Sequence, residues 1–220
     1  MSIHPTAIVA ASAVVPDSCT IGPYCTVGPD VVLGDDCELV SHVVLDGHLT
    51  AGARNRFFSF ACVGVSPQDL KYKGEPTGVR MGDDNTIREA VTISRGTSGG
   101  GGTTYVGSHC LIMAYTHIGH DSVIGDGCIL ANGATLAGHV TVEDFAVVGA
   151  LCPVHQYVRV GTHAYIGGGI EYWFAYVLAL VVLLIRAGWR KLRARRAAAQ
   201  PAAALNATQP RTPPDSSFLV

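Results

Sequence analysis

The chain has 220 residues, 48% hydrophobic and 15% charged, with a formal net charge of −2, a composition that excludes disorder for most of its length. The near-neutral total conceals a division, because 16 of the 17 acidic residues but only 8 of the 15 basic residues lie within residues 1–171. An acidic body of this kind lacks the clustered Lys and Arg that displace counterions from DNA or RNA, so we expect no nucleic-acid partner.

An apolar residue recurs at every sixth position along most of the chain. The first run consists of Ile3, Val9, Val15, Ile21, Val27, Leu33, Leu39, Leu45, Ala51, Phe57 and Val63. After a break the step continues through Met81, Ile87, Ile93 and, after another, Val106, Ile112, Ile118, Ile124, Leu130, Leu136, Val142, Val148, Val154, Val160 and Ile166. A six-residue period is typical of one flat face of a parallel β-helix, in which three faces make a coil of about 18 residues. We therefore predict a parallel β-helix over residues 1–169 with these side chains on its axis.

Two other positions of the repeat are also restricted. A glycine often follows the apolar residue, as at Gly22 and Gly34, and we expect it to supply an unusual φ,ψ combination at a corner. Four places after the apolar residue lies a second small side chain, and six of the seven cysteines occupy that position: Cys19, Cys25, Cys37, Cys110, Cys128 and Cys152. We interpret them as reduced core residues. Metal or redox cysteines would instead come in CxxC-type pairs, which the sequence lacks.

The repeat is interrupted at residues 64–80 and 94–105. Insertions in a repeat array leave it as loops, often on the binding face. The second contains a glycine run at 99–102, but neither a helix nor a Lys-Ser/Thr pair follows it, as a phosphate-binding loop would require. We expect this segment to be a flexible excursion.

Residues 18 apart in a three-faced coil lie above one another, so the numbering predicts columns. One column holds His120, Gly138 and Gln156, and the next holds Asp121, His139 and Tyr157. A histidine beside a carboxylate, with a glycine backbone one coil above, would supply a general base, its orienting group and an oxyanion donor. A zinc site is the alternative, with His117, His120 and His139 as ligands.

Several stretches together resemble one bacterial enzyme family. They are Gln-Asp-Leu-Lys-Tyr at 68–72, Gly-Glu-Pro-Thr at 74–77, Ile-Arg-Glu at 87–89, Arg-Gly-Thr at 95–97, His-Ile-Gly-His-Asp at 117–121, Ile-Leu-Ala-Asn at 129–132, Thr-Leu-Ala-Gly-His at 135–139 and Val-His-Gln at 154–156. This combination is similar to the acyl-carrier-protein:UDP-N-acetylglucosamine O-acyltransferases, which start lipid A synthesis. The resemblance covers residues 3 to about 169. It implies a left-handed β-helix, an exception to the right-handed crossover rule, assembled as a cytoplasmic homotrimer with active sites between subunits.

The resemblance also implies roles for individual residues. His120 would be the general base, Asp121 would orient it, and the Gly138 N–H would bind the oxyanion. The groove for UDP-N-acetylglucosamine and acyl carrier protein would be lined by Asp69, Lys71, His117, His139, His155 and Gln156. Gly168 would measure the acyl chain, since a glycine there leaves room for a longer one. The resemblance implies no metal and no dissociable cofactor.

The resemblance ends after Gly169, where the family continues into an α-helical domain. Here we predict an apolar helix over residues 170–190 and a basic, disordered tail over 191–220. Residues 172–189 lie at the threshold of a membrane span of about 20 residues. Membrane contact stays open, although the basic flank would place the β-helix opposite its cytosolic substrates. We favour a truncation or frameshift as the origin of this segment.

Two functions of different classes are consistent with the sequence. The first is acyl transfer by His120 and Asp121, both of which are intact. The second is a catalytically silent β-helix trimer, a scaffold or defective paralogue, which the altered C-terminus favours.

Overall fold

The computed structural model describes residues 2–167 and 170–198. These residues form 24 β-strands, one 3₁₀ turn at Ser98–Gly100 and one α-helix, α1, at Ile170–Ala198. The chain divides into two compact units, residues 1–170 and 171–220. Every strand of the described chain is in the first unit, and every recorded strand pair is parallel.

The strands, numbered in chain order, belong to three sheets. The first contains β1 (Ser2–Ile3), β3 (Thr20–Ile21), β6 (Glu38–Leu39), β9 (Arg56–Phe57), β12 (Thr86–Ile87), β15 (Leu111–Ile112), β18 (Ile129–Leu130), β21 (Val147–Val148) and β24 (Tyr165–Ile166). The second contains β2 (Ile8–Val9), β4 (Thr26–Val27), β7 (Val44–Leu45), β10 (Cys62–Val65), β13 (Thr92–Ser94), β16 (His117–Ile118), β19 (Thr135–Leu136) and β22 (Pro153–Val154). The third contains β5 (Val32–Leu33), β8 (His48–Ala51), β11 (Gly78–Met81), β14 (Thr103–Val106), β17 (Val123–Ile124), β20 (Thr141–Val142) and β23 (Arg159–Val160). Consecutive strands lie in different sheets, so each turn of chain visits all three, which confirms the predicted left-handed parallel β-helix.

The register confirms the predicted 18-residue coil and the predicted core. Ile21 pairs with Ile3 and Leu39 pairs with Ile21, so the apolar position lies above itself in successive coils. All the side chains at the predicted apolar position from residue 21 to residue 160 are buried, and none is more than 6% exposed. Ile3, in the first coil, is 38% exposed because only one neighbouring coil covers it.

The glycines that follow the apolar position have a different role from the one predicted. Positive φ occurs two places later, at residues such as Tyr24 (59°) and His42 (52°), and not at Gly22 or Gly34. A Cβ at Gly22 would instead lie 1.8 Å from the carbonyl oxygen of Val40 in the next coil. The prediction of unusual φ,ψ at these glycines is therefore wrong, because close approach of the next coil is what requires them.

The small inward position is buried as predicted and also donates hydrogen bonds. All seven cysteines are reduced thiols. The thiol of Cys37 donates to the Gly52 carbonyl oxygen at 3.2 Å, and the Ser122 hydroxyl donates to that of Ala137 at 3.2 Å. Burial raises the pKa of the Cys37 thiol to about 11, so it stays protonated as a donor. Asn55 fills the same position, and its amide donates to the Gly82 carbonyl oxygen at 2.8 Å.

The predicted boundaries of both insertions are too wide. β10 continues to Val65 and β11 begins at Gly78, which pairs with His48, so the first loop comprises residues 66–77. The second comprises residues 95–102, between β13 and β14. The chain stays in the ladders on both sides of each loop because the neighbouring coils satisfy its backbone groups.

The α-helix begins where predicted but extends eight residues past the predicted end at 190. Residues 191–198 are Lys, Leu, Arg and Ala, all good helix formers, so nothing in this stretch ends the helix. The rest of the predicted tail, 199–220, lies outside the described residues. Among the described helices, none combines the length and the apolarity needed to cross a membrane.

Candidate active site

The corner between β16 and β17 places His120 beside Asp121. The Nδ1 atom of His120 lies 2.8 Å from Oδ2 of Asp121, and the two side chains are 14% and 0% exposed. Because a carboxylate can only accept, Nδ1 must carry the hydrogen of this bond. Nε2 of the neutral ring is then the unprotonated nitrogen, which is the form a general base requires.

The second loop covers Asp121 and supplies further donors to it. The Thr97 N–H donates to Oδ1 at 2.9 Å, and the Thr97 hydroxyl donates to Oδ2 at 2.6 Å. The Asp121 N–H donates in turn to Oγ1 of Thr104 at 2.8 Å. A buried carboxylate is costly unless donors surround it, and here the loop provides them. The segment expected to be a flexible excursion is therefore anchored to the coil at Thr97, which is 8% exposed.

Gly138 lies one coil above His120, as the column predicted. A Cβ at this position would lie 2.6 Å from both Cε1 and Nε2 of the imidazole, so only glycine leaves room for the ring. Among the described residues, no acceptor is paired with the Gly138 N–H. The site therefore offers a backbone donor next to the ring nitrogen that can take a proton.

The second predicted column, Asp121, His139 and Tyr157, is joined by ring contacts. His139 meets the His120 ring edge-on, with centroids 5.1 Å apart, and stacks on Tyr157 at 4.6 Å. Nε2 of His139 lies 3.9 Å from Oδ2 of Asp121. All three members of the column have φ between 58° and 64°, the left-handed conformation of this corner.

A pocket of about 140 Å³ joins both loops to this corner. It brings together three of the predicted site residues, Asp69, Lys71 and His139. It also contains residues to which the sequence assigned no binding role: Tyr72, Glu75, Thr97, Ser98, Gly99 and Tyr157. The coil period places Tyr157 on the His139 column, whereas the loop residues follow no period.

The other predicted binding residues lie around this pocket. Nδ1 of His117 is 2.7 Å from Oγ1 of Thr92, and burial, with a smaller effect of the His120 charge, lowers the pKa of His117. His155 is exposed and its Nδ1 lies 3.2 Å from the carbonyl oxygen of Gln156. His155 and Gln156 are not part of the pocket lining. Gly168, the predicted acyl-length position, lies outside the described residues.

The geometry of the zinc alternative differs from the predicted ligand set. The potential ligand atoms that come within 4.8 Å of one another belong to His120, Asp121 and His139, with Asp121 in place of His117. Nδ1 of His120 and both carboxylate oxygens already take part in hydrogen bonds with one another or with Thr97. Nδ1 of His120 and the Asp121 carboxylate are therefore satisfied by the protein's own groups.

Comparison with known proteins places this architecture in a class. The six-repeat bacterial transferase hexapeptide family matches residues 12–47 and 103–138. Hexapeptide repeats and three parallel sheets together define the β-helical unit as a member of the hexapeptide-repeat transferases.

The particular family within this class follows from individual relatives. The acyl-[acyl-carrier-protein]–UDP-N-acetylglucosamine O-acyltransferase of Verminephrobacter eiseniae is 54% identical over 166 residues, which are 76% of this chain and 63% of that protein. The solved LpxA of Acinetobacter baumannii is 45% identical with a TM-score of 0.75, over 76% of this chain and 64% of that one. The UDP-N-acetylglucosamine O-acyltransferase (LpxA) of Moraxella catarrhalis is 43% identical with a TM-score of 0.74, over 77% and 66%. The β-helical unit belongs to the UDP-N-acetylglucosamine O-acyltransferase family, and the chain spans less than two thirds of the length of these relatives.

Proposed function

We propose that this protein transfers a (3-hydroxy)acyl chain from acyl carrier protein to the 3-hydroxyl of UDP-N-acetylglucosamine, the first step of lipid A synthesis. The observation that carries the proposal is the buried His120–Asp121 hydrogen bond of 2.8 Å at the edge of the two-loop pocket. The relatives named for this reaction share the coil that contains the pair. Seven reduced cysteines suit a reducing compartment, so we place the reaction in the cytoplasm.

His120 acts as the general base in this reaction. Its Nε2 takes the proton of the 3-hydroxyl as that oxygen attacks the thioester carbonyl carbon. Asp121 keeps Nδ1 protonated and stabilises the imidazolium that forms. The Gly138 N–H donates to the oxyanion of the tetrahedral intermediate. Collapse of that intermediate breaks the carbon–sulfur bond, and the imidazolium returns the proton to the departing thiolate.

The remaining residues bind the two substrates. Lys71 supplies a cation near the pocket, where it faces the diphosphate of the nucleotide or the phosphopantetheine of the carrier protein. His117, whose pKa burial lowers, and His139 supply ring donors to hydroxyl groups. His155 and Gln156 extend this surface by one coil, and Asp69 fixes the first loop by accepting from the Lys71 N–H at 2.9 Å.

A homotrimer accounts for the one-sided form of this site. The pocket has walls from the two loops and the His139 corner, and Leu70, between Asp69 and Lys71, is 96% exposed in the single chain. Burial of such a side chain against a second copy is favourable. We therefore place the complete site between subunits.

The test is an assay of the purified full chain with acyl carrier protein loaded with hydroxyacyl chains of several lengths. We expect mass spectrometry to detect UDP-N-acetylglucosamine heavier by one acyl group, and activity that a metal chelator leaves unchanged. Loss of turnover in chelator, restored by zinc, would favour the metal site. A folded trimer that makes no product with any chain would favour the silent scaffold.

A further inference from the structure

The second loop contacts Asp121 with its backbone and with the Thr97 side chain. A Cβ at Gly100 would lie 2.1 Å from Cγ of Asp121, and one at Gly96 would lie 2.8 Å from Oδ1. A Cβ at Gly99, in the same 3₁₀ turn, would meet nothing within 4 Å. Neither glycine has a positive φ; the carboxylate itself requires glycine at Gly100, whereas at Gly96 a Cβ would first meet the backbone nitrogen of Thr103, at 2.2 Å.

The hydroxyl of Thr97 and the ring of His120 share one oxygen of that carboxylate. Oδ2 accepts from Thr97 Oγ1 at 2.6 Å and from His120 Nδ1 at 2.8 Å, while Oδ1 accepts from the Thr97 N–H. Thr97 is itself only 8% exposed. Thr97 therefore donates to both oxygens of the carboxylate. These two bonds fix the orientation of the carboxylate plane, and with it the position of the oxygen that the imidazole bonds.

We propose that the loop of residues 95–102 is a positioning cap for the catalytic pair and that Thr97 is its positioning residue. The inference rests on the proposed function, because it assigns to Thr97 the control of the base that acyl transfer uses. The Thr97 hydroxyl stabilises the negative charge of Asp121 and keeps Oδ2 directed at Nδ1 of His120. In this arrangement the carboxylate fixes the orientation of the imidazole.

Removal of the Thr97 hydroxyl changes how strongly the Asp121 charge attracts a proton to His120. In Thr97→Val the Asp121 charge loses one of its donors and attracts a proton onto His120 more strongly. The other titratable groups that face the pair are His139, 3.9 Å from Oδ2, and His117, whose charge interaction is with His120. Both are unchanged in the variant, so the altered protonation of His120 is assigned to Thr97.

The first experiment compares Thr97→Val with Thr97→Ser in the full chain. A hydrogen bond to a charged group corresponds to roughly a tenfold effect or more. We expect Thr97→Val to lower kcat about tenfold. We also expect the midpoint of the acid limb in the pH profile of kcat/KM to move about one unit toward higher pH. Thr97→Ser keeps the hydroxyl and restores both. A role limited to loop stability would change the amount of folded protein and leave the acid limb in place.

The second experiment uses the two neighbouring glycines as a matched pair. Gly100→Ala pushes a methyl group into the carboxylate, so we expect it to move the acid limb in the same direction as Thr97→Val. Gly99→Ala meets open space and keeps the wild-type acid limb, whatever its effect on KM in the pocket that it borders. Equal shifts in both alanine variants would overturn the proposal, as would a Thr97→Val enzyme with the wild-type pH profile.

Failure of the proposed function is distinguishable from failure of this inference. If the wild type makes no product, or if His120→Ala is fully active, the proposed function is wrong. In that case an NMR titration of the His120 ring, which needs no enzymatic activity, still measures the effect of Thr97 on its midpoint. A midpoint about one pH unit higher in Thr97→Val supports the positioning role, and an unchanged midpoint overturns it.

Discussion

The two ring nitrogens of His120 have different neighbours. Substitutions in and around the ring can distinguish a catalytic role from a role in substrate binding. Asp121 bonds Nδ1, and Gly138 leaves space at Nε2. Removal of a proton helps only in the transition state, whereas a substrate contact helps the ground state as well. The kinetic constant that changes therefore reports the role of the residue.

We expect His120→Ala to lower kcat by roughly 10²- to 10⁴-fold with little change in KM. Lys71→Ala serves as the comparison and should mainly raise KM for the sugar nucleotide or the acyl carrier protein. Steady-state kinetics at several concentrations of each substrate measure both constants. An alanine at 120 that raised KM and spared kcat would remove His120 from the role of base.

His117 predicts a pH dependence of stability. Its pKa is lowered by burial and by the His120 charge, so the unfolded chain binds a proton at this residue more readily than the folded protein does. Stability from the neutral ring is complete above the unfolded pKa of about 6.5 and is lost as the pH falls below it. We expect the Tm advantage of wild type over His117→Gln to shrink between pH 8 and pH 5. A difference in Tm that stays constant over this range would contradict the expectation.

At the scale of the repeated element, the glycine after the apolar position can be tested with a built-in control. A Cβ at Gly22 would lie 1.8 Å from the Val40 carbonyl oxygen, whereas a Cβ at Gly161, at the same repeat position, would meet only Oε2 of Glu143, at 4.0 Å. Overpacking costs about 1–3 kcal/mol. We expect Gly22→Ala to lower the free energy of unfolding by at least this amount and Gly161→Ala to leave it within error. Equal losses in denaturant unfolding would show that close approach of coils is not the cause.

The inward thiols predict a labelling pattern. Cys19, Cys25 and Cys37 are almost completely buried, and burial raises the pKa of each. Cys62 lies off the repeat position and is half-buried. We expect iodoacetamide to modify Cys62 first in the native protein, and the three core thiols only after denaturation. Mass spectrometry locates the label, and a disulfide between core cysteines in freshly lysed cells would contradict the reduced state.

The part of this architecture that the sequence predicts is the part that obeys the period. A period of 18 converts residue numbers into places, so the columns of His120 with Gly138 and of Asp121 with His139 could be derived before any coordinates. The positions of Thr97 and Glu75 could not be derived in this way. Both residues lie in insertions, and hydrogen bonds, not the period, determine where an insertion contacts the coil. Asn55 occupies the small inward position, where the repeat predicts a small side chain. An asparagine is accommodated there because its amide donates a hydrogen bond to a carbonyl group.

For the whole molecule, the separate units predict the effect of deleting the helix. The β-helix encloses its core with its own coils, and the helix belongs to the second compact unit. We expect a chain ending at residue 169 to keep the Tm and the β-type circular dichroism of the full chain. The mass in solution should stay three times that of one chain by light scattering, since the proposed subunit contacts lie on the coils. A large loss of Tm would show that α1 stabilises the β-helix.

The two loops determine where the protein can accommodate insertions and deletions of residues. Val63 pairs with Ile93, thirty residues later, and Ile93 pairs with Ile118, 25 residues later, yet the ladder continues through both. The coil period thus does not set the length of a loop, while inside a coil the loss of one amino acid would turn every later aliphatic side chain of that coil toward solvent. The coils impose a second reading frame on the protein, counted in residues instead of bases. Inherited insertions and deletions should therefore be confined to residues 66–77 and to the part of 95–102 that does not contact Asp121, or should come as whole coils of 18.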